Sequence, residues 1–367
     1  MGTAASVTAS VPAGPSGRRG RPIGAVVAQF VVAGSSLLLA IVALRELGTA
    51  GLGTFSLLFG VLITATAVQT GWIGDSLTVL DRFEPGVRRA LWRSQAIATP
   101  LILVTTAALG AALTDIDATT AIVFGVASAV WALEETLRRV LMARREFWQL
   151  VANDVAFAVG AFGLLGTVLV SGATITIQTM LIALIAGGVV AITVALVQLP
   201  RVELVQGPAA RPRLRELASF ARWRALRVGL RPGALAVVRA VVAVTAGIEA
   251  VGQLEAARLL IAPALTVVNG AGSYLLPTYS RQARAASPLR PTVGRAMLAV
   301  AAVAALWSVL AVAVGRAILG LLTTSDSVDD VTIASIAAWG VFAVGFGLGL
   351  PAGAATVASG RSRRTFG

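Results

Sequence analysis

A series of arginines runs toward the middle of an apolar segment in the second half of the chain. Arg239 lies ten residues into the predicted span 230–248, and Arg224, Arg227 and Arg231 precede it at helical spacing. An arginine near the bilayer midplane costs about 2.5–3.5 kcal/mol on insertion scales, so it usually faces a bundle interior or a water-filled cavity. Because guanidinium offers paired donors that suit phosphate, we predict that these arginines bind an anionic headgroup. The alternatives are an ion pair that locks two helices for Arg239 and ordinary positive-inside residues for the others.

Other charged residues in or beside apolar segments are candidates for ion coupling or gating. Asp154 lies about one turn into the predicted span 150–171, where a carboxylate could titrate or pair with an arginine. Arg45, Glu46 and Arg258 flank predicted outward-facing turns. They could close an external gate by ion pairing, or they could be solvated helix ends.

Uncharged polar residues within spans are candidates for a ligand cavity. Gln29 and Asn269 could line a sugar-binding cavity, although interhelical hydrogen bonds are the commonest role of such side chains. Asp75 and the neighbours Glu134 and Glu135 lie at predicted cytoplasmic helix ends. For these carboxylates we expect structural salt bridges with nearby arginines.

The residue types that the chain lacks exclude several kinds of catalysis. The 367 residues include no histidine and no cysteine. Ser-His-Asp, Cys-His and zinc enzymes are therefore excluded, and we predict no metal site and no cofactor. The glycine-rich pieces at 51–53 and 345–349 lie in or beside spans, without the strand and the Lys-Ser/Thr of a nucleotide loop. The sequence thus predicts a protein that is not an enzyme.

The elements that must position these residues are membrane-spanning helices. The chain is 57% hydrophobic and 13% charged, whereas soluble domains are roughly 45–50% apolar and ~25% charged. Its mean hydropathy of +0.85 excludes a soluble enzyme, a disordered protein and a coiled coil. We predict an all-α polytopic membrane protein with about ten transmembrane helices. The predicted spans are approximately 23–44, 54–74, 96–114, 118–133, 150–171, 175–197, 230–248, 259–277, 296–316 and 331–351.

Charge in the connections alternates along the chain and predicts the orientation. Arginines cluster before the first span and in every second connection after it, while the remaining connections are acidic or neutral. Both termini are therefore predicted to be cytoplasmic. The same pattern explains the net charge of +13 without a nucleic-acid partner. All 30 basic residues are arginine, which is typical of a GC-rich genome and favours a bacterial plasma membrane.

The largest polar interruption divides the chain into predicted parts. We predict a disordered cytoplasmic tail at 1–22, a six-helix N-terminal bundle at 23–197, a basic cytoplasmic linker at 198–228 and a C-terminal bundle at 229–367. The linker residues around 220–227 are basic and aromatic, so we expect them to lie along the inner membrane surface.

The two bundles contain a weak internal repeat. Gly48 and Gly53 map onto Gly247 and Gly252 at one offset, and both pairs lie in outward turns separated by six spans. This predicts a parallel repeat with its axis along the membrane normal. A six-span first half predicts six spans in the second, where only four are found. The second bundle is thus incomplete, either as a ten-span protein or through truncation of the sequence.

Three segments carry a family resemblance. The first, 44–56, begins with Leu-Arg-Glu-Leu-Gly and continues with Gly51, Gly53 and Phe55. The second, 135–154, contains two arginine pairs. The third, 247–281, contains Ala-Ala-Arg-Leu-Leu at 256–260. Together with the span pattern they resemble polysaccharide (O-antigen-type) flippases of the multidrug/oligosaccharidyl-lipid/polysaccharide (MOP) exporter superfamily. The resemblance implies two helical bundles, with 12 or 14 helices in all, around a central cavity.

The resemblance also implies a function. We expect the chain to flip a lipid-linked oligosaccharide of the polyprenyl-diphosphate type from the inner to the outer leaflet by alternating access, for cell-surface polysaccharide export. The expected partners are that lipid, membrane lipids and glycan-assembly enzymes. The alternatives are small-molecule or drug efflux by a related transporter and a degenerate, non-transporting scaffold. A membrane glycosyltransferase is disfavoured because the outward loops are only a few residues long.

Overall fold

Every regular element that the computed structural model describes, in residues 21–204, 211–284, 290–322 and 333–358, is helical. Residues 1–20 of the predicted tail and 205–210 of the predicted linker lie outside these ranges. The helices are α1 (Arg21–Gln69), followed by a π-helical turn (Thr70–Gly74), α2 (Asp75–Val79), α3 (Pro85–Leu113), α4 (Ala118–Arg144), α5 (Phe147–Val170), α6 (Ile177–Gln198), α7 (Arg201–Leu204), α8 (Leu214–Ala246), α9 (Ile248–Arg284), α10 (Arg290–Leu322) and α11 (Ile333–Ala358).

The first apolar helix is long enough to cross a membrane twice. The stretch Ile23–Val79 has 57 residues, or about 85 Å at 1.5 Å per residue, against ~30 Å of hydrocarbon. Gly48 interrupts it with φ 70° and ψ −171°, a backbone conformation that is essentially restricted to glycine. The described residues contain nine helices that are long and apolar enough to span. Because the first is long enough for two crossings and is interrupted at Gly48, they confirm the predicted all-α protein of about ten spans.

Several helix boundaries differ from the prediction. Helix α4 continues to Arg144, well beyond the predicted end near residue 133. Helix α8 begins at Leu214, inside the predicted linker, and continues through Pro232 without a break. Helix α9 begins at Ile248, so the predicted start of that span near residue 259 was wrong. The earlier start places Glu255 and Arg258 within an apolar helix, where the sequence had indicated a connection.

Apolar side chains cover the outside of the bundle, and small residues allow its helices to approach closely. Phe30, Val159 and Leu306 are exposed, as expected for a surface that faces lipid. Between α5 and α6, a Cβ added at Gly160 would lie only 2.9 Å from the Cα of Gly187. Such close backbone contacts are the usual basis of helix association in membranes.

The turns at Gly48 and Gly247, which are predicted to face outward, have matching backbone geometry. Gly247, between α8 and α9, has φ 91° and ψ 165°, close to the values at Gly48. The offset is 247 − 48 = 199 residues, and the pair Gly252 and Gly53 gives the same number, 252 − 53 = 199. The geometry therefore agrees with the predicted correspondence of these four glycines.

The second glycine of each pair lies at the contact between α1 and α9. A Cβ at Gly53 would overlap the carbonyl oxygen of Ile248, and a Cβ at Gly252 would overlap that of Thr49. Each clash partner directly follows the turn glycine of the other half, so the contact is reciprocal. The two halves thus meet about a local two-fold axis beside these turns.

Candidate functional site

The candidate functional site is a cavity between the two halves of the chain, which we call the central cavity. It consists of two neighbouring spaces of about 280 and 270 Å³. Both spaces are lined by Ser36 of α1, by Leu235 and Arg239 of α8, and by Arg258 of α9. The cavity therefore lies at the place where α1 of the first half faces α8 and α9 of the second.

A buried carboxylate holds two arginines on the wall of the central cavity. Nε of Arg239 donates a hydrogen bond of 2.7 Å to Oε1 of Glu255, and Nε of Arg258 donates one of 2.5 Å to Oε2. The side chain of Glu255 is only 1% exposed, and that of Arg258 is 32% exposed. This Arg239–Glu255–Arg258 group, which we call the central triad, carries a net charge of 2 − 1 = +1.

Neighbouring residues fix the central triad in place. A Cβ added at Gly60 of α1 would lie 3.1 Å from Nη1 of Arg239, so this glycine lets the guanidinium lie against the first half. The indole nitrogens of Trp339 and Trp307 donate hydrogen bonds of 2.8 Å to the carbonyl oxygens of Leu254 and Leu260. These bonds hold α9 on both sides of the triad residues.

Four of the predicted site residues meet at the central cavity. Arg239 and Arg258 belong to the triad, and Arg231 and Asn269 line the second space. The guanidinium carbon of Arg231 lies 4.2 Å from the ring centroid of Phe346, a cation–π distance. Asn269 also donates a hydrogen bond of 2.8 Å to a carbonyl of its own helix. The chain thus brings three guanidinium groups to one cavity.

The other predicted residues of the headgroup and polar sets lie away from the central cavity. Arg224 forms an ion pair with Asp75, 2.6 Å from Nη2 to Oδ2, which joins α8 to α2. Arg227 and Gln29 are exposed and are not among the residues that line the cavity. The structure therefore separates the predicted series of four arginines into two pairs.

Just before the turn at Gly48, Arg45 and Glu46 approach each other to 3.7 Å with exposed side chains. They lie on one helix, α1, and Arg258 is not beside them because it faces the central cavity. The predicted gating residues therefore do not form one cluster.

Asp154 belongs to a buried charged group in the first half, which we call the N-lobe cluster. Its Oδ1 accepts a hydrogen bond of 2.7 Å from Nε of Arg138, whose Nη1 donates one of 2.6 Å to Glu135. Arg139 pairs with Glu135 at 2.7 Å, and Glu134 lies 3.6 Å from Nε of Arg138. With three carboxylates and two arginines the cluster carries 2 − 3 = −1.

The acidic residues form ion pairs and line a cavity, but they form no metal site in the described residues. The expected structural salt bridges of Asp75 and Glu135 with arginines are confirmed. The N-lobe cluster also lines a small cavity that shares Ser36 and Leu39 with the central cavity. In the described residues no group of acidic side chains is arranged to hold a metal ion.

The sequence assignment missed Glu255 and misplaced Arg258. Both were assigned to an outward connection because the span was expected to begin near residue 259, and this is corrected by α9, which begins at Ile248. The repeat contained the missing signal. Adding 199 to the start of the second predicted span, residue 54, gives residue 253, which would have placed both residues in the helix.

Known proteins resemble this chain in fold but not in sequence. No protein-family model and no curated protein matches it. A crystal structure of the eukaryotic MATE transporter AtDTX14 matches with a TM-score of 0.58 and 15% identity, covering 93% of this chain and 81% of the other. A MATE structure in complex with MaL6 gives 0.58 and 15%, with coverages of 94% and 84%.

The third solved structure is a MOP superfamily transporter from Pyrococcus furiosus Vc1 (DSM3638), for which a reversed polarity of the binding pocket was taken to suggest a different function. It has a TM-score of 0.59 and 15% identity, and the match covers 94% of this chain and 83% of that one. The chain is therefore a multi-pass membrane protein with the fold of MATE and MOP superfamily transporters.

Proposed function

We propose that the protein flips a polyprenyl-diphosphate-linked oligosaccharide from the inner to the outer leaflet by alternating access. The observation that carries the proposal is the positive charge of the central cavity. Arg231, Arg239 and Arg258 line it with Glu255 as the only acidic lining residue in the described part of the chain, which gives 3 − 1 = +2. A cavity of this sign selects an anionic headgroup over a cationic drug.

The desolvation of a diphosphate explains why a cavity with arginines is needed. Moving such a charge through bare hydrocarbon is prohibitively costly, and guanidinium donors replace the lost hydration. In the described residues, Arg239 uses only Nε for a side-chain hydrogen bond, so its terminal nitrogens remain available to phosphate oxygens. Glu255 acts as an internal counter-ion that keeps the arginines in position and competes with the bound headgroup.

The remaining surfaces suit the other parts of this substrate. Phe55, Phe59 and Trp339 contribute aromatic faces to the cavity walls, and such faces pack well against sugar rings. On the outside, an apolar groove between α1 and α8 is lined by residues including Val68 and Leu230. We propose that the polyprenyl tail remains in lipid along this groove while the headgroup crosses inside.

For energy coupling we propose the N-lobe cluster. Asp154 and Glu134 line a cavity that adjoins the central cavity at Ser36, so a proton bound there would lie close to the substrate path. The excess of carboxylates in this cluster also favours the alternative function, efflux of a small cation. A substrate-dependent assay distinguishes the two functions.

The test is reconstitution of the purified protein into liposomes with a labelled polyprenyl-diphosphate oligosaccharide in the inner leaflet. The rate at which the label becomes accessible outside is measured for wild type, Arg239→Ala and Arg222→Ala. Arg222 is the matched control, since it is exposed on the same helix and does not line the cavity. We expect Arg239→Ala to lower the rate at least tenfold and Arg222→Ala to leave it unchanged.

Other outcomes redirect the proposal. An equal rate for wild type and empty liposomes would overturn flipping of this lipid, and export of cationic dyes in the same vesicles would then favour efflux. Wild-type rates in Arg239→Ala would retain the transporter and reject the role of the central triad. A protein inactive in both assays would favour the non-transporting scaffold.

A further inference from the structure

A second arginine site, unrelated to the central cavity, lies at the predicted cytoplasmic end of the first half. Arg88, in the first turn of α3, is only 8% exposed. Its Nη2 atom has no hydrogen-bond partner among the described residues. A guanidinium keeps its charge when buried, and a buried charge without a partner is unfavourable in a folded protein. The position therefore requires an anion.

The acidic groups nearest in the fold already have other partners. Glu84, one turn before Arg88, approaches Nη2 of Arg213 to 3.2 Å. Glu203 of α7 accepts hydrogen bonds of 3.3 Å from Arg82 and from Arg144. In the described part of the chain, no carboxylate thus forms an ion pair with Arg88.

Arg88 lines a cavity that could hold the missing anion. The cavity is lined by α3, α4 and the segments around α2 and α7, and its volume is about 30 Å³, much smaller than that of the central cavity. Arg82 and Glu203 lie on its wall, and Trp92 of α3 contributes an indole ring. Arg82 and Arg88 against Glu203 give the lining a net charge of 2 − 1 = +1.

We infer that this cavity binds a phosphate group, with Arg88 as the main contact. Phosphate suits the site because guanidinium donates paired hydrogen bonds to its oxygens. Basic pockets between transmembrane helices on the cytoplasmic side are typical sites for anionic lipid headgroups. The phosphate can come from an inner-leaflet phospholipid or from solution.

The test measures bound phosphate on the purified, full-length protein in lipid-depleted detergent. Native mass spectrometry and thermal unfolding are recorded with phosphatidylglycerol, with inorganic phosphate and with uncharged diacylglycerol. The variants are Arg88→Gln, Arg88→Lys and the matched control Arg93→Gln, an exposed arginine on the same helix. A phosphate bound in the central cavity persists in every variant, so the difference between Arg88→Gln and Arg93→Gln isolates this site.

We expect Arg88→Gln to bind roughly tenfold or more weakly, the size expected for a lost charge-assisted hydrogen bond. Arg88→Lys should give an intermediate affinity, and Arg93→Gln should bind like wild type. Binding of phosphatidylglycerol alone identifies a lipid headgroup, whereas equal stabilisation by inorganic phosphate identifies a free phosphate. Binding of diacylglycerol as tight as that of phosphatidylglycerol would overturn the inference.

A structural role for Arg88 predicts a different result. Without phosphate or lipid, Arg88→Gln should unfold at the same temperature as wild type or higher, because it removes an uncompensated charge. A clearly lower unfolding temperature would show that the guanidinium has a protein partner and would overturn the inference. Equal phosphate binding by Arg88→Gln and Arg93→Gln would overturn it as well.

Discussion

At the central cavity the two halves of the chain place different chemistry at equivalent positions. The offset of 199 residues, given by Gly48 and Gly247, relates three pairs of residues that all line the same space. In each pair the first-half residue is uncharged and the second-half residue is charged. The pairs are Ala40 and Arg239, Ser56 and Glu255, and Phe59 and Arg258.

The first half keeps its own charges away from this surface. Its N-lobe cluster lies between α4 and α5, inside one lobe, and has an excess of carboxylates. The central triad lies at the contact between the halves and has an excess of arginines. Each network joins helices of a single half, α4 with α5 in the N-lobe cluster and α8 with α9 in the central triad, but the triad lines the cavity that faces the other half. The surroundings of the triad therefore change when the halves move relative to each other. The two halves thus share a backbone arrangement but differ in where their charged residues lie.

The largest expected effect is on stability, and it tests the difference between the N-lobe cluster and the central triad. Arg138→Met would leave the buried carboxylate of Asp154 without its ion-pair partner, at a cost of about 3–5 kcal/mol, although Glu135 would keep its pair with Arg139. Arg239→Met should cost less, because Glu255 keeps its 2.5 Å bond from Arg258. Thermal or denaturant unfolding in detergent measures both. Equal losses would contradict the distinction between a structural and a functional network.

The next effect tests the contact between the halves. Gly252→Ala and Gly53→Ala each place a Cβ against a backbone carbonyl oxygen of the opposite half. Overpacking of this kind costs typically 1–3 kcal/mol, and it should lower transport by similar factors in both variants because the contact is reciprocal. Transport in liposomes and unfolding temperature are the measurements.

Gly163→Ala is the matched control for this pair. Gly163 also lies in a membrane helix, and a Cβ there has no neighbour within 4 Å among the described residues. Alanine at such a position should be neutral or stabilising by roughly 0.5–1 kcal/mol. A change of transport in one contact variant only would show that the halves do not share this contact equally.

The sequence predicted the helices better than the contacts between them. Long apolar stretches and alternating arginines indicate spans and orientation because the bilayer acts on each segment separately. The start of α9 was missed because Glu249, Glu255 and Arg258 lower the local hydropathy. The burial of Glu255 is accompanied by its ion pair with Arg239 of the preceding helix, which the hydropathy of one segment cannot show.

The sequence predicted that certain carboxylates would pair with arginines, but it did not predict which arginines. A salt bridge was expected for Asp75, and its partner is Arg224, 149 positions away in sequence. For that reason Arg224 was also predicted to bind a headgroup, together with three other arginines of α8. Only the packing of α8 against the π-helical turn and α2 distinguishes an arginine held by a carboxylate from one that lines a cavity.

A smaller effect tests the role of the internal counter-ion. Glu255→Gln keeps the size of the side chain and raises the net charge of the lining from +2 to +3. An anionic headgroup analogue, such as a short-chain prenyl diphosphate, should then bind on the order of tenfold more tightly, ~1.4 kcal/mol. Flipping should become slower because release becomes slower.

Calorimetry with the analogue and the liposome assay measure the two quantities. Ser56→Ala, at the equivalent position of the first half, is the control and should change neither. Weaker binding by Glu255→Gln would mean that the carboxylate organises the arginines for the headgroup and does not compete with it.

The smallest expected effect concerns the turn at Gly48 in the first half, which is predicted to face outward. Arg45 and Glu46 are 3.7 Å apart and exposed, and the equivalent positions of the second half are Val244 and Thr245. A surface ion pair of this kind contributes roughly 0–1 kcal/mol, so Arg45→Ala should leave both unfolding temperature and flipping rate nearly unchanged. A flipping rate that falls several-fold at unchanged stability would instead establish Arg45 as part of an external gate. Such a gate would belong to the first half alone, and charge at the turns would then be as asymmetric as charge in the cavity.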